Sequence, residues 1–333
     1  MKIKILTVCM LVILITNFSM GNTLQPDYTF NFARLFKDAD LIAIGTVKKV
    51  DVGKEFHKAV FEIETCIKGN IKKEIEIKTS LYNGVFKEHE IYLSEDTEVL
   101  LFLKKNNEAS FSISSCSGFF SPRCKDDIEL LLEQYNSNNN IFSNNHKGEL
   151  KNIFTYLKNS RIKWMLLNDM QYLLDSDDLE FVSSLLYSSN VAIKIEGIMA
   201  AGRLKEESLY QILIDLLQTS NNSRIKYHYI AAISDYGKDD CVDLLIPFLD
   251  DQNQNIRRAV IEAAGKIKSE KMIKHLKRIY SGEEDFLDRI AVITSISFMK
   301  DKEKVKKTLD ELLTFESDNL VKSFIEKTKK KIK

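Results

Sequence analysis

The stretch "IKIEGIMAAGRL" begins at Ile193, "IKYHYIAAISDY" at Ile225, "IRRAVIEAAGKI" at Ile256 and "DRIAVITSISFM" at Asp288. These four segments decide the fold, because they are copies of one pattern set 32, 31 and 32 residues apart. A repeat of that length with helical patterning inside each unit predicts an α-solenoid, in which each unit buries its apolar face only against its neighbours.

Each unit reads as two helices. "SLYQILIDLLQTS" precedes "SRIKYHYIAAISDYG", and "CVDLLIPFLDD" precedes "QNIRRAVIEAAGKIK". Within the second helices Ile198, Ile230, Ile261 and Ile293 share one slot and fill the core between stacked pairs. Ala200, Ala232, Ala263 and Ser295 share another, where only small side chains let neighbouring helices come close. Gly202, Ser234, Gly265 and Ser297 follow near the helix end. The register extends back to Ile162, Leu167 and Asp169. It extends forward to "NLVKSFIEKTKKKIK", a polar-ended terminal helix suited to capping the stack. About six helical hairpins are expected over residues 148–333.

These segments, "IRRAVIEAAGKIKSE" above all, closely resemble HEAT repeats of the short bacterial kind. The resemblance implies an all-α, armadillo-like architecture that binds other proteins along an extended face. Some short HEAT proteins are phycobilin lyases, but nothing else in this chain points to a tetrapyrrole.

Working outward toward the N-terminus, "NSNNNIFSNNHKG" is crowded with Asn and Ser and has no periodicity, which marks residues 136–147 as a linker. Before it the pattern is β. "DLIAIGTVKKV", "KAVFEIETCIKG", "KKEIEIKTS", "TEVLLFLKK" and "ASFSISSCSG" give five strands, with turn chemistry at Gly69-Asn70 and Asn106-Asn107. Ala59, Phe61, Ile63, Thr65 and Ile67 are expected on one face of the second strand. Glu62, Glu64, Glu74, Glu76, Ser110, Ser112 and Ser114 are expected to point outward. "TEVLLFLKK" is apolar on both faces and is expected to be covered on both. The pattern predicts a small Greek-key barrel over residues 22–135, closed by the helix "DDIELLLEQY".

"ADLIAIGTVKKV", "AVFEIETCIKG" and "TEVLLFLKK" resemble the OB-fold barrel of netrin-like, tissue-inhibitor-of-metalloproteinase-type domains. Inhibitors of that type chelate zinc with an N-terminal cysteine. Here the first cysteine after the leader is Cys66, so zinc chelation is not carried over. Acidic or small residues on the outward face argue against nucleic acid. Tyr82, Phe86, His89 and Tyr92 form the one aromatic patch, read as packing over a barrel end.

Residues 1–21 read as a signal peptide. Lys2 and Lys4 precede the apolar run Ile5 to Ile15, and Ser19 and Gly21 set a cut before Asn22. The protein is therefore expected to be exported, periplasmic or secreted, from a bacterial source. Export permits disulfides. Cys116 and Cys124, with Gly118 and Pro122 between them, are the favoured pair, and Cys66–Cys116 is the rival. The 48 basic and 48 acidic residues give no electrostatic case for nucleic acid.

One constellation on the repeats bears on partners. Lys163, Lys194, Lys226, Arg257 and Arg289 stand one position after the start of successive second helices, spaced 31, 32, 31 and 32. As a basic ladder they are candidate contacts for an acidic partner segment. As structural residues they would pair with an acid about six positions earlier, a place held by Asp251 and Glu283 for the two arginines. His57, His89, His146, His228 and His275 have no ligand spacing, and no phosphate loop or GxSxG is present. The reading is a non-catalytic binding protein without cofactor or metal, engaging an envelope or extracellular protein through the solenoid. The alternatives are recognition or inhibition through the barrel, of a protein or a glycan, and an enzyme with an unrecognised site.

Overall fold

The computed structural model describes residues 32–52, 56–70, 74–80, 95–106, 110–113, 119–137, 146–282 and 285–332. The leader, Cys116, Glu283, the aromatic patch Tyr82–Tyr92 and most of the Asn/Ser-rich stretch lie outside them. The chain divides into two compact units, Met1–Pro122 and Arg123–Lys333.

In the first unit, helix α1 (Phe32–Asp38) precedes β1 (Leu41–Val52), β2 (Phe56–Lys68), β3 (Glu74–Ser80), β4 (Glu98–Lys105), β5 (Ser110–Ile113) and the short β6 (Phe119–Phe120). The strands run β1-β2-β3-β5-β4, and β4 returns to pair with β1, so five of them close a small barrel. The β3–β5 pair is parallel and the other pairs are antiparallel. Closure asks β1 to serve two neighbours, and register shifts along β1 give it the necessary bend. Gly45 sits at one of them. A Cβ there would lie 2.0 Å from the Glu62 carbonyl oxygen, so only glycine fits.

Alternating residues fill the barrel: Leu41, Ala43 and Val47 from β1, Ala59 and Phe61 from β2, Ile75 and Ile77 from β3, and Val99, Leu101 and Leu103 from β4. The other face of β4 is covered too, as its doubly apolar pattern requires. Phe102 packs against Phe36 of α1 at 5.7 Å between ring centroids and against Phe120 at 5.5 Å. Lys68 Nζ donates to the carbonyls of Phe36 and Ala39, closing the C-terminal end of α1. Ser110 corrects an expectation. It is buried, not outward, because β5 begins wedged between β3 and β4.

The second unit starts earlier than the linker reading placed it. Helix α2 (Lys125–Ser137) was expected to close the barrel but belongs with the helical unit. The buried carboxylate of Asp127 accepts hydrogen bonds from the backbone N–H groups of Lys158 and Asn159, fixing α2 to the first helical pair. Six pairs follow among the described residues: α3 (Lys147–Tyr156) with α4 (Ser160–Met170), α5 (Leu179–Leu186) with α6 (Val191–Leu204), α7 (Glu207–Thr219) with α8 (Ser223–Asp235), α9 (Val242–Leu245) with α10 (Gln254–Ile267), α11 (Ile273–Gly282) with α12 (Phe286–Ser297), and α13 (Lys302–Phe315) with α14 (Asn319–Lys331). The segment "CVDLLIPFLDD" is not one α-helix. Pro247 has no N–H to donate, and the chain passes from α9 into a 3₁₀ turn over Ile246–Asp250.

Second helices stack on second helices, and the small-residue slots explain how. A Cβ on Gly202 would lie 2.9 Å from Ala232 Cα, and one on Gly265 would lie 3.1 Å from Ser295 Cα. Ser295 Oγ donates back to the carbonyl of Ile261 at 2.6 Å. Ile198, Ile230, Ile261 and Ile293 are all buried. Each second helix opens on an Asn or Asp whose side chain caps it. Asn159, Asn190, Asn222, Asn253, Asp285 and Asp318 all accept from backbone N–H groups of their own first turn. Helix α14 buries Val321 and Ile325. Among the described residues no helix is long and apolar enough to cross a membrane.

Candidate functional site

The five ladder residues all lie half-buried, close beneath the turn joining the two helices of a pair. Lys163 Nζ stands 5.1 Å from the centre of the Phe154 ring, and Lys226 Nζ 5.7 Å from that of Phe248. Arg257 donates to the carbonyls of Asp251 and Gln252, at 3.0 and 3.3 Å. The Asp251 carboxylate accepts from Asn253 N at 2.8 Å. Arg289 pairs with Glu316, 27 residues later, at 2.7 Å. Lys194 makes no side-chain contact of this kind. Of the cysteine pair, Cys124 is buried and Cys116 falls outside the described residues.

Counting from the N-cap, side chains five, six, nine and thirteen positions along the second helices form a different row. There the repeats are tied by contacts that span one period. Trp164 Nε1 donates to Glu196 Oε1 at 2.9 Å, across 32 residues. Arg258 donates to Asp285 and Asp288, Lys266 to Asp235, and Arg203 to the carbonyls of Gln171 and Leu174. On this row Glu196 is exceptional. It is only 8% exposed, and its Oε2 has no hydrogen-bond partner among the described residues. Burial pushes its carboxyl pKa up, and the Trp164 N–H offsets part of that.

The residues around Glu196 give the row its character. Met199 follows one turn on, 46% exposed. His228 occupies the slot of Glu196 in the next repeat. Burial, with Arg224 one turn before it, pulls its pKa down, so the imidazole is neutral near pH 7. Its ring meets Tyr227 edge to face at 5.3 Å. Glu262 lies on the following second helix, three positions beyond that slot and level with Met199; desolvation raises its carboxyl pKa, and the charges of Lys266 and Arg258 offset part of that. Aromatic rings, a flexible thioether and two carboxylates therefore lie on successive second helices; no cation acts on Glu196 among the described residues, and Lys266 and Arg258 act on Glu262.

The basic ladder drew the eye in the sequence because one charge recurs at one slot. The row of Trp164, Glu196, Tyr227, His228 and Glu262 has no recurring residue and was missed. The signal was available in register. The slot of Glu196 otherwise holds Met165, His228, Ala259 and Ala291, and an acid among them is out of character. Among the described residues no group of His, Cys, Asp and Glu is placed to hold a metal ion.

Residues 219–297 match the family model described as HEAT repeats, which covers the pairs from the end of α7 through α12. No curated protein matches the chain. Among solved structures, the complex of CpcE and CpcF of phycocyanin lyase from Nostoc sp. PCC7120 is similar at 12% identity. That match covers 62% of this chain and 89% of the other, with a TM-score of 0.37. At that level the likeness carries no argument about activity.

Proposed function

We propose that this protein is a non-catalytic, exported binding protein whose helical region, read as an α-solenoid, holds another envelope or extracellular protein along the outward row of its second helices. One observation carries the reading. Stacked second helices repeat the same register with small residues between them, so a row of side chains is presented at regular intervals, and on it Met199 is exposed beside a buried, half-satisfied carboxylate. Proteins built from such repeats bind extended segments because successive units offer equivalent positions along one line. The ladder at Lys163, Lys194, Lys226, Arg257 and Arg289 is the rival contact row for an acidic segment. Most of its members already have partners inside the protein.

The alternative places recognition on the first unit. The closed strand order β1-β2-β3-β5-β4 with a parallel β3–β5 pair supports an OB-type barrel, which resembles the inhibitor domains named above. Photo-cross-linkers introduced singly at Met199, Lys194 and Glu74 separate the three readings. Adducts from Met199 support the second-helix row, from Lys194 the ladder, and from Glu74 the barrel.

A further inference from the structure

We infer that the row formed by Trp164, Glu196 and Met199, with Tyr227 and Glu262 on the two following second helices, receives an arginine or lysine side chain from a basic segment of the partner protein. The inference rests on the proposal that the partner lies along this row, and it names the chemistry of that partner.

A carboxylate oxygen enclosed without a donor costs free energy that a solvated one does not. Glu196 Oε2 is such an oxygen, while Oε1 is held in place by the Trp164 indole. Among the described residues no cation acts on it. Arg203, Arg258 and Lys266, on the same helices, are each engaged by carbonyls or by other carboxylates. His228, in the equivalent slot of the next helix, is held neutral. What is missing at Glu196 Oε2 is a hydrogen-bond donor, and a guanidinium or ammonium group from outside would supply one together with a charge that favours the ionised carboxylate.

The surroundings fit such a group. Trp164, whose indole N–H holds Oε1, and Tyr227 on the next second helix are aromatic, and aromatic rings attract cations by their quadrupole. Met199 lies one turn from Glu196 and is nearly half exposed, and its unbranched, flexible side chain can adapt to a group bound beside it. Glu262, exposed on the second helix after His228 with Lys266 and Arg258 one turn to either side, would meet a second basic side chain of the same segment less strongly. An acidic segment on this row would instead face the Glu196 carboxylate, on which no cation acts among the described residues.

The chain contains one tryptophan, Trp164, so its fluorescence reports on this site directly. The full-length protein is titrated with an arginine-rich peptide, a lysine-rich peptide and a glutamate-rich peptide at one ionic strength. The expected result is a saturable change in Trp164 emission with the basic peptides and none with the acidic one. Glu196→Gln keeps an oxygen for the Trp164 N–H and removes the charge. It is expected to weaken basic-peptide binding about tenfold or more, the worth of one hydrogen bond to a charged group. Glu262→Gln, at an exposed position, is expected to weaken it less, and it serves as the test if Glu196→Gln does not fold. No emission change with any peptide, equal response to the acidic peptide, or undiminished binding by a folded Glu196→Gln protein would overturn the inference. Adducts from Met199 combined with a null peptide titration would refute the basic chemistry alone and leave the proposed contact row standing.

Discussion

Gly202 sets how closely α6 can approach α8, and replacing it tests the stacking directly. In Gly202→Ala the new Cβ would lie 2.9 Å from Ala232 Cα and 3.0 Å from Ala232 Cβ, and 3.3 Å from Asp235 Oδ2. Two of those neighbours are backbone or bound to it, so the helices themselves must separate. Overpacking of this kind costs about 1–3 kcal/mol. Against that, alanine gains about 1 kcal/mol over glycine in helix propensity. The net expectation is a loss of about 0–2 kcal/mol. Gly148 in α3 provides the control, because a Cβ there meets nothing within 4 Å. Gly148→Ala keeps the propensity gain alone and should stabilise by about 0.5–1 kcal/mol. Gly265→Ala, with its closest neighbour at 3.1 Å, should fall between the two. Thermal denaturation followed by circular dichroism reads the order, at about 2–4 °C per kcal/mol for a unit of this size. If Gly202→Ala raised the midpoint as much as Gly148→Ala, close approach at this slot would be refuted.

Two further expectations follow from the caps and the buried ion pair. Asn222 caps α8 by accepting from Ile225 N at 3.2 Å, and Asn222→Ala should cost about 1 kcal/mol by urea unfolding, with no loss marking the cap as idle. Glu316 is buried, which pushes its carboxyl pKa up, yet the Tyr280 hydroxyl, the Asp318 N–H and Arg289 outweigh that and hold it below the ordinary 4.5. A depressed folded pKa contributes stability that is present above the unfolded value and lost as pH falls through the folded one. The stability gap between the wild-type protein and Glu316→Gln should therefore narrow as pH drops below about 4.5. Melting curves taken through that window would contradict the pairing if the gap stayed constant.

Much of the helical unit was legible because its determinants recur. Ile198, Ile230, Ile261 and Ile293 announce a buried stripe, and Gly202 and Gly265 announce a close approach, since stacked repeats impose the same demand at the same slot each time. The strands of the barrel were legible for a related reason, as period-two alternation and the doubly apolar "TEVLLFLKK" report which faces are covered. Features set by a partner far away in the chain were not legible. Asp127 looks like an ordinary acid in the first turn of a helix until Lys158 and Asn159 are brought to it, which is why the domain boundary was drawn too late. Pro247 was readable as a breaker and was absorbed into a helical pattern instead. Glu196 is the clearest case. Its burial and its half-satisfied carboxylate depend on Trp164, one repeat away, and on the depth to which neighbouring helices enclose that slot. A single acid in an otherwise uncharged column is a weak signal until the columns are aligned on their N-caps.

The central claim is that partners meet the second-helix row of the helical region. Its most direct measurement is site-specific photo-cross-linking of the full-length protein in extracts of its source, with the probe at Met199 or at Glu74 and the adducts mapped by mass spectrometry. The account predicts one recurrent protein adduct from Met199, lost on competition with unlabelled protein, and none from Glu74. A recurrent adduct from Glu74 with none from Met199 would contradict it and assign recognition to the barrel.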